Sequence, residues 1–125
     1  MAESSCACGG GSLTLIFACS GASNVGEMAD RAARKLAREG KGKMYCLAGL
    51  GGDVHNIIET TRSADRILVI DGCPVDCAKK TLDRLGIGKY AFLRVTDLGL
   101  EKGKTPVTDE AIARAAAAGA SALSG

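Results

Sequence analysis

Four apolar, β-prone runs alternate with helix-like segments along this chain, and this alternation limits its fold more than any other feature. The predicted strands are LTLIFA (13–18), KMYCLA (43–48), DRILVID (65–71) and YAFLRVTD (90–97). The first is almost wholly apolar, which is typical of a strand covered on both faces. Parallel neighbours need crossover helices, so the alternation predicts a three-layer, Rossmann-like α/β domain with a four-stranded parallel sheet. We expect the strand order 2-1-3-4, which opens a crevice at the carboxyl ends of strands 1 and 3.

Helix boundaries are indicated by residues that favour helix starts. The residues expected at or near these starts are Asn24, Asp53, Pro74 and Thr108. Asparagine, aspartate and threonine side chains accept hydrogen bonds from free backbone N–H groups, and proline has no N–H to leave unpaired. The last helix is expected to run from about residue 109 to residue 123.

The chain is expected to have a Cys- and Gly-rich leader, residues 1–12, followed by one domain, residues 13–125. A domain of this length can bury a core without disulfides. The start of the chain lacks a basic n-region, and the apolar run at 13–18 is too short for an export signal or a membrane span. These features predict a cytoplasmic protein, where six cysteines point to metal binding or thiol chemistry rather than disulfides.

Charge and aromatic content argue against two classes of partner. The net charge is +2, with 16 basic and 14 acidic residues interspersed, and aromatic residues make up 3% of the chain. Such a chain offers no strong field for nucleic acid or an anionic membrane, and few rings on which bases can stack. We therefore expect neither a nucleic acid nor a membrane as a partner.

Four cysteines follow predicted strands. Cys19 comes after strand 1, Cys46 lies near the end of strand 2, and Cys73 and Cys77 follow strand 3 in IDGCPVDCAKK. If the last two lie on one helix start, their spacing of four residues places both sulfurs on one side. Because the carboxyl ends of parallel strands share one edge, the four thiols are expected to converge there. Four thiolates are a ligand set that zinc binds tetrahedrally, at Zn–S distances of about 2.3 Å.

Other interpretations of the cysteines remain open. Cys19 and Cys46 would also suit a core, since free cysteine is often buried. Cys73 and Cys77 would suit a thiol redox or sulfur-transfer enzyme, with Cys6 and Cys8 of the leader as a relay. Those two leader cysteines would equally suit a metal ligand or a solvated tail. An iron–sulfur carrier is a third alternative, although the close cysteine triplet of many such proteins is missing.

Two further side chains have more than one interpretation. His55, the single histidine, is either a ligand, a general base or a surface residue without a function. Asp71 either caps the next helix or orients a metal ligand. The sequence identifies no reaction, substrate or protein partner, and the small residues of the last helix leave a homodimer open.

Three segments also carry a resemblance to a known family. CSGASNVGEMA, CLAGLGG and DGCPVDCAKKTLDRLG resemble the DGC-domain family of small bacterial proteins considered to bind zinc. The resemblance extends from about residue 13 to residue 97. It implies that Cys19, Cys46, Cys73 and Cys77 are the zinc ligands, and it implies no particular reaction.

Overall fold

The computed structural model describes residues 12–125, which form a four-stranded sheet and five α-helices. The strands are β1 (Thr14–Ala18), β2 (Lys43–Met44), β3 (Arg66–Asp71) and β4 (Ala91–Arg94). The helices are α1 (Asn24–Arg38), α2 (Leu47–Gly51), α3 (His55–Ser63), α4 (Cys77–Arg84) and α5 (Asp109–Ser124). A short 3₁₀ turn, Val95–Leu98, follows β4.

The sheet is parallel throughout and its order is β2-β1-β3-β4, which confirms the predicted fold class and topology. In the register of the two central strands, Ile16 lies beside Leu68 and Ala18 beside Ile70. The chain leaves β1 for the outer strand β2 and returns to pair β3 with β1. The loops that follow β1 and β3 therefore lie side by side at the carboxyl edge of the sheet.

Successive side chains of the central strands enter different layers. The core on the α1 and α5 side includes Ile16, Ala18, Leu68 and Ile70. The core on the other side includes Leu15, Phe17, Ile67 and Val69, packed against residues of α2, α3 and α4. Both sets alternate along the same strands, which explains why the strands are apolar without a break. Cys19, just after β1, packs against both cores.

The prediction of the second strand is wrong over most of the length of that segment. It was expected over residues 43–48, but β2 contains only Lys43–Met44, and α2 begins at Leu47. Cys46 is the N-cap of this unexpected helix, and its Sγ accepts a hydrogen bond from the N–H of Gly49 at 3.3 Å. Strand 4 is also shorter than expected, because the chain turns into the 3₁₀ segment after Arg94.

Three helix starts differ from the prediction. Ser23, not Asn24, caps α1, and Val54, not Asp53, stands at the N-cap of α3 without a side-chain bond. Pro74 lies in a loop before α4, which begins only at Cys77. Thr108 does cap α5, since its hydroxyl accepts from the N–H of Ala111.

Membrane insertion was not expected from the sequence. Among residues 12–125, none of the helices has the length and apolar character needed to cross a bilayer.

Candidate functional site

The thiol of Cys19 connects the loops that follow β1 and β3. The backbone N–H of Cys19 donates to the carbonyl of Ile70 at 3.1 Å, which continues the ladder one residue beyond β1. Its Sγ accepts a hydrogen bond from the N–H of Gly72 at 3.3 Å. Burial raises the pKa of the Cys19 thiol, and hydrogen bonds from the backbone N–H groups of Gly21 and Gly72 oppose that rise.

Gly72 is required because the two loops pack backbone against backbone. A Cβ atom at Gly72 would lie 2.8 Å from the N of Gly26 and from the carbonyl carbon of Val25. Gly26 is equally constrained, since its Cβ would lie 2.6 Å from the carbonyl oxygen of Gly21. Gly72, the middle residue of the DGC motif (residues 71–73), therefore lets the end of β3 pack directly against the first turn of α1.

Asp71 holds the start of α4 across the intervening loop. Its side chain is buried, with a residue exposure of 1%, and its carboxylate accepts from the N–H groups of Ala78 (2.8 Å) and Lys79 (2.9 Å). Burial raises the pKa of the Asp71 carboxyl, and the two amide hydrogen bonds oppose that rise. Asp71 is therefore a capping residue, one of its two expected roles, although it lies outside the N-cap position.

The loop before α4 is fixed from β4 as well. Asp76 has φ +57°, in the left-handed region, and its carboxylate accepts from Nε and Nη2 of Arg94 at 2.8 and 2.6 Å. This bidentate pair lowers the pKa of Asp76. Asp76 is the N-cap residue of α4, so Cys77 is the first residue of that helix and Cys73 lies before it. The expectation that both cysteines lie on one helix start is therefore wrong.

Cys46, which follows β2, lies beside a surface depression at the carboxyl edge of the sheet. Cys19 and Cys46 both line this depression, whose volume is about 460 Å³, together with Ser20, Asp30 and Thr81 among others. Thr81 is one helical turn beyond Cys77. Ser20 has φ +54°, and its hydroxyl donates to Asp30 Oδ1 at 2.7 Å. Ser20, immediately after Cys19, and Asp76, immediately before Cys77, thus both have a backbone in the left-handed region, and a side-chain hydrogen bond holds each of them.

The structure places all four predicted ligands at the carboxyl edge but does not assemble them around one point. Cys19, Cys46, Cys73 and Cys77 are free thiols, and Cys46 and Cys77 are exposed. Within residues 12–125, no three His, Cys, Asp or Glu side chains are close enough to share a metal ion. His55 is the exposed first residue of α3. Cys6 and Cys8 lie outside the described residues.

Three polar residues near these thiols were not predicted as part of the site. Arg94 holds Asp76, Asn24 holds the linker between β4 and α5, and Lys102 on that linker contacts Cys73. Their roles depend on contacts between segments distant in sequence, which no local motif indicates. For Asn24 the sequence does give a local indication. The preceding Ser23 also suits the N-cap position, and when Ser23 caps α1 the Asn24 side chain is free to bind another segment.

The fold and the thiols define the class of this protein, and comparison with known proteins identifies its family. Free thiols at one edge of a small parallel sheet define a cysteine-bearing, Rossmann-like domain. Residues 15–118 match the family model of the DGC domain, and the chain belongs to that family. Over 90 residues it is 41% identical to the Anaerobic and virulence modulator AnvM of Pseudomonas aeruginosa. The matched segment covers 72% of this chain and 69% of AnvM. No solved structure matches the chain.

Proposed function

We propose that this protein binds zinc through Cys19, Cys46, Cys73 and Cys77, and that the metal has a structural, metal-handling or sensing role. One observation carries the proposal. All four described cysteines are free and follow the carboxyl ends of the three adjacent strands β2, β1 and β3. Such an arrangement brings soft sulfur donors from separate parts of the chain to one edge.

The donor set fits zinc by its chemistry. Thiolates are the ligands that structural zinc sites use most, and four of them leave no open position for a reacting water. Because no three donors within residues 12–125 already share a centre, binding must draw the loops together. Zinc would supply positive charge that keeps the thiols deprotonated and would cross-link three βα connections.

A regulatory role has support from the relative. AnvM is named as an anaerobic and virulence modulator, which describes a regulatory role for that protein. We extend to this chain only the idea of a regulatory role. A thiolate site suits such a role, because it responds both to metal supply and to oxidation.

Elemental analysis of anaerobically purified protein tests the zinc site. We expect about one zinc per chain, lost in Cys73→Ser and kept in the matched leader variant Cys6→Ser. The same measurement would reveal iron, the sign of an iron–sulfur carrier. A wild-type protein without metal, all of whose thiols react freely, would contradict the proposal.

The second candidate function is a thiol redox or sulfur-transfer enzyme that uses Cys73 and Cys77. The exposure of Cys77 favours it, because an exposed thiol is accessible to a disulfide or an electrophile. Alkylation separates the two functions. Metal ligands should resist iodoacetamide until a chelator is added, whereas redox thiols should be alkylated at once. In protein that has not been alkylated, the oxidant diamide should take two electrons and two protons from the redox pair and leave a disulfide, which dithiothreitol reduces back to two thiols.

A further inference from the structure

A lysine from a distant part of the chain lies against Cys73. Lys102 belongs to the linker between the 3₁₀ turn and α5, and its ammonium donates a hydrogen bond to Cys73 Sγ, with Nζ and Sγ 3.6 Å apart. Cys73 is half-buried and packs against the core on the α1 side. The thiol of the DGC motif thus has a positively charged neighbour that the motif itself does not contain.

The position of Lys102 is fixed by Asn24. The Asn24 amide donates from Nδ2 to the carbonyls of Glu101 (2.9 Å) and Thr105 (2.7 Å), and its Oδ1 accepts from the N–H of Gly103 (2.8 Å). The turn is also closed internally, because the Thr105 hydroxyl accepts from the N–H of Glu101 at 2.7 Å. The backbone on both sides of Lys102 is therefore attached to the first residue of α1.

The negative charge expected around a zinc-bound Cys73 gives the contact with Lys102 a role. Four thiolates around one Zn²⁺ leave two negative charges in excess, and the buried Asp71 carboxylate lies two residues from Cys73 in the chain. The nearby Arg94 is already paired with Asp76 and Asp97. Lys102 is placed to offset part of the negative charge on the Cys73 sulfur.

We propose that Lys102 is a charge-compensating partner of metal-bound Cys73 and that Asn24 is the residue that positions it. This inference rests on the proposed zinc function. Hydrogen bonds to metal ligands orient them and stabilise their charge, and loss of such a partner weakens metal binding by roughly 10–100-fold. Lys102 therefore strengthens the hold on zinc without binding the ion itself.

Zinc affinity, measured by competition with a chromophoric chelator, tests the role of Lys102. Lys102→Met removes the charge but keeps the chain length, and should weaken binding roughly 10–100-fold. Lys104→Met is the matched control, because it removes the same charge from the same linker, where Lys104 is mostly exposed and pairs with Glu101. Lys102→Arg should retain most of the affinity, and Asn24→Ala should lose less than Lys102→Met.

A metal-free experiment tests the contact separately. o-Phthalaldehyde condenses with a primary amine and a neighbouring thiol, with loss of water, to a fluorescent isoindole. We expect peptide mapping to find this bridge between residues 73 and 102 in the wild type and in Lys104→Met. It should disappear in Cys73→Ser, Lys102→Met and Lys102→Arg, so the arginine variant separates the bridge from the metal affinity.

Each outcome has one meaning. If no bridge joins residues 73 and 102, the inference is wrong even when the wild type binds zinc. If the bridge forms but Lys102→Met binds zinc as tightly as Lys104→Met, the contact exists without the proposed role. If the wild type binds no zinc, the proposed function fails and the role of Lys102 fails with it, while the bridge still reports the contact.

Discussion

The loops after β1 and β3 are built differently from the loop after β2. The first two touch through backbone atoms at Gly72 and Gly26, and the Cys19 sulfur accepts a hydrogen bond from Gly72. The β2 loop follows a strand of two residues, and its Cys46 caps its own short helix.

The difference divides the four thiols into two kinds. Cys19 and Cys73 belong to loops that the neighbouring backbone holds in place, and both are half-buried. Cys46 and Cys77 stand at the starts of α2 and α4, and both are exposed. If the four thiols bind one ion, we expect the exposed pair to move toward the buried pair. Four substitutions, all measured in metal-free protein, test this division.

The largest effect is expected at the contact between the two loops. In Gly72→Ala the new Cβ meets backbone atoms that cannot move aside, so the free energy of unfolding should fall by about 3 kcal/mol or more. Urea denaturation measures it. Gly21→Ala is the control, since a Cβ there meets no atom within 4 Å. Equal stability of the two variants would show that the loops do not pack as described.

Asp71→Ala should have the next largest effect. It leaves the N–H groups of Ala78 and Lys79 without their acceptor, at a cost of about 2 kcal/mol. Hydrogen exchange at these two amides should accelerate more than exchange in α5. Asp83→Ala, which removes an exposed carboxylate from the same helix, is the control and should change little.

Cys19→Ala tests the buried kind of thiol. It removes the acceptor for Gly72 N–H together with sulfur contacts to both cores, so we expect a loss of about 1–2 kcal/mol. Thermal and urea unfolding should agree on its size. A neutral result would place Cys19 in the exposed class.

Cys46→Ala makes the same change in the β2 loop and should have the smallest effect. Only the weak cap on Gly49 is lost, at about 0.5 kcal/mol. Cys46→Ser should restore that cap, because serine is a favoured N-cap residue. The division of the thiols fails if Cys46→Ala destabilises the protein as much as Cys19→Ala.

Sequence patterns predicted the sheet well because its strands are determined locally. The β1 and β3 segments are apolar on both faces, and crossover rules then limit the strand order. The second segment was misread because a short apolar run such as YCLA suits a strand and a helix equally. Leu50 of this helix is buried in the core beside residues of α3 and α4, a contact between distant segments that the local sequence does not show.

The site was less predictable because distant contacts determine its geometry. Pro74 suits the first turn of a helix, yet Asp71 and Arg94 delay the start of α4 until Cys77. Lys102 lies in a linker without periodicity, and only its attachment to Asn24 brings it to Cys73. Residue type selected the four cysteines as candidate ligands, but it did not indicate which other side chains contact them.

Cys19 packs against the cores on both sides of the sheet, and it also lines the depression that it shares with Cys46. Its side chain therefore contacts the α1 and α5 layer, the layer of α2, α3 and α4, and the surface at the carboxyl edge. A change of this one side chain alters the packing of both layers together, whereas a change of Cys46 is confined to its own loop.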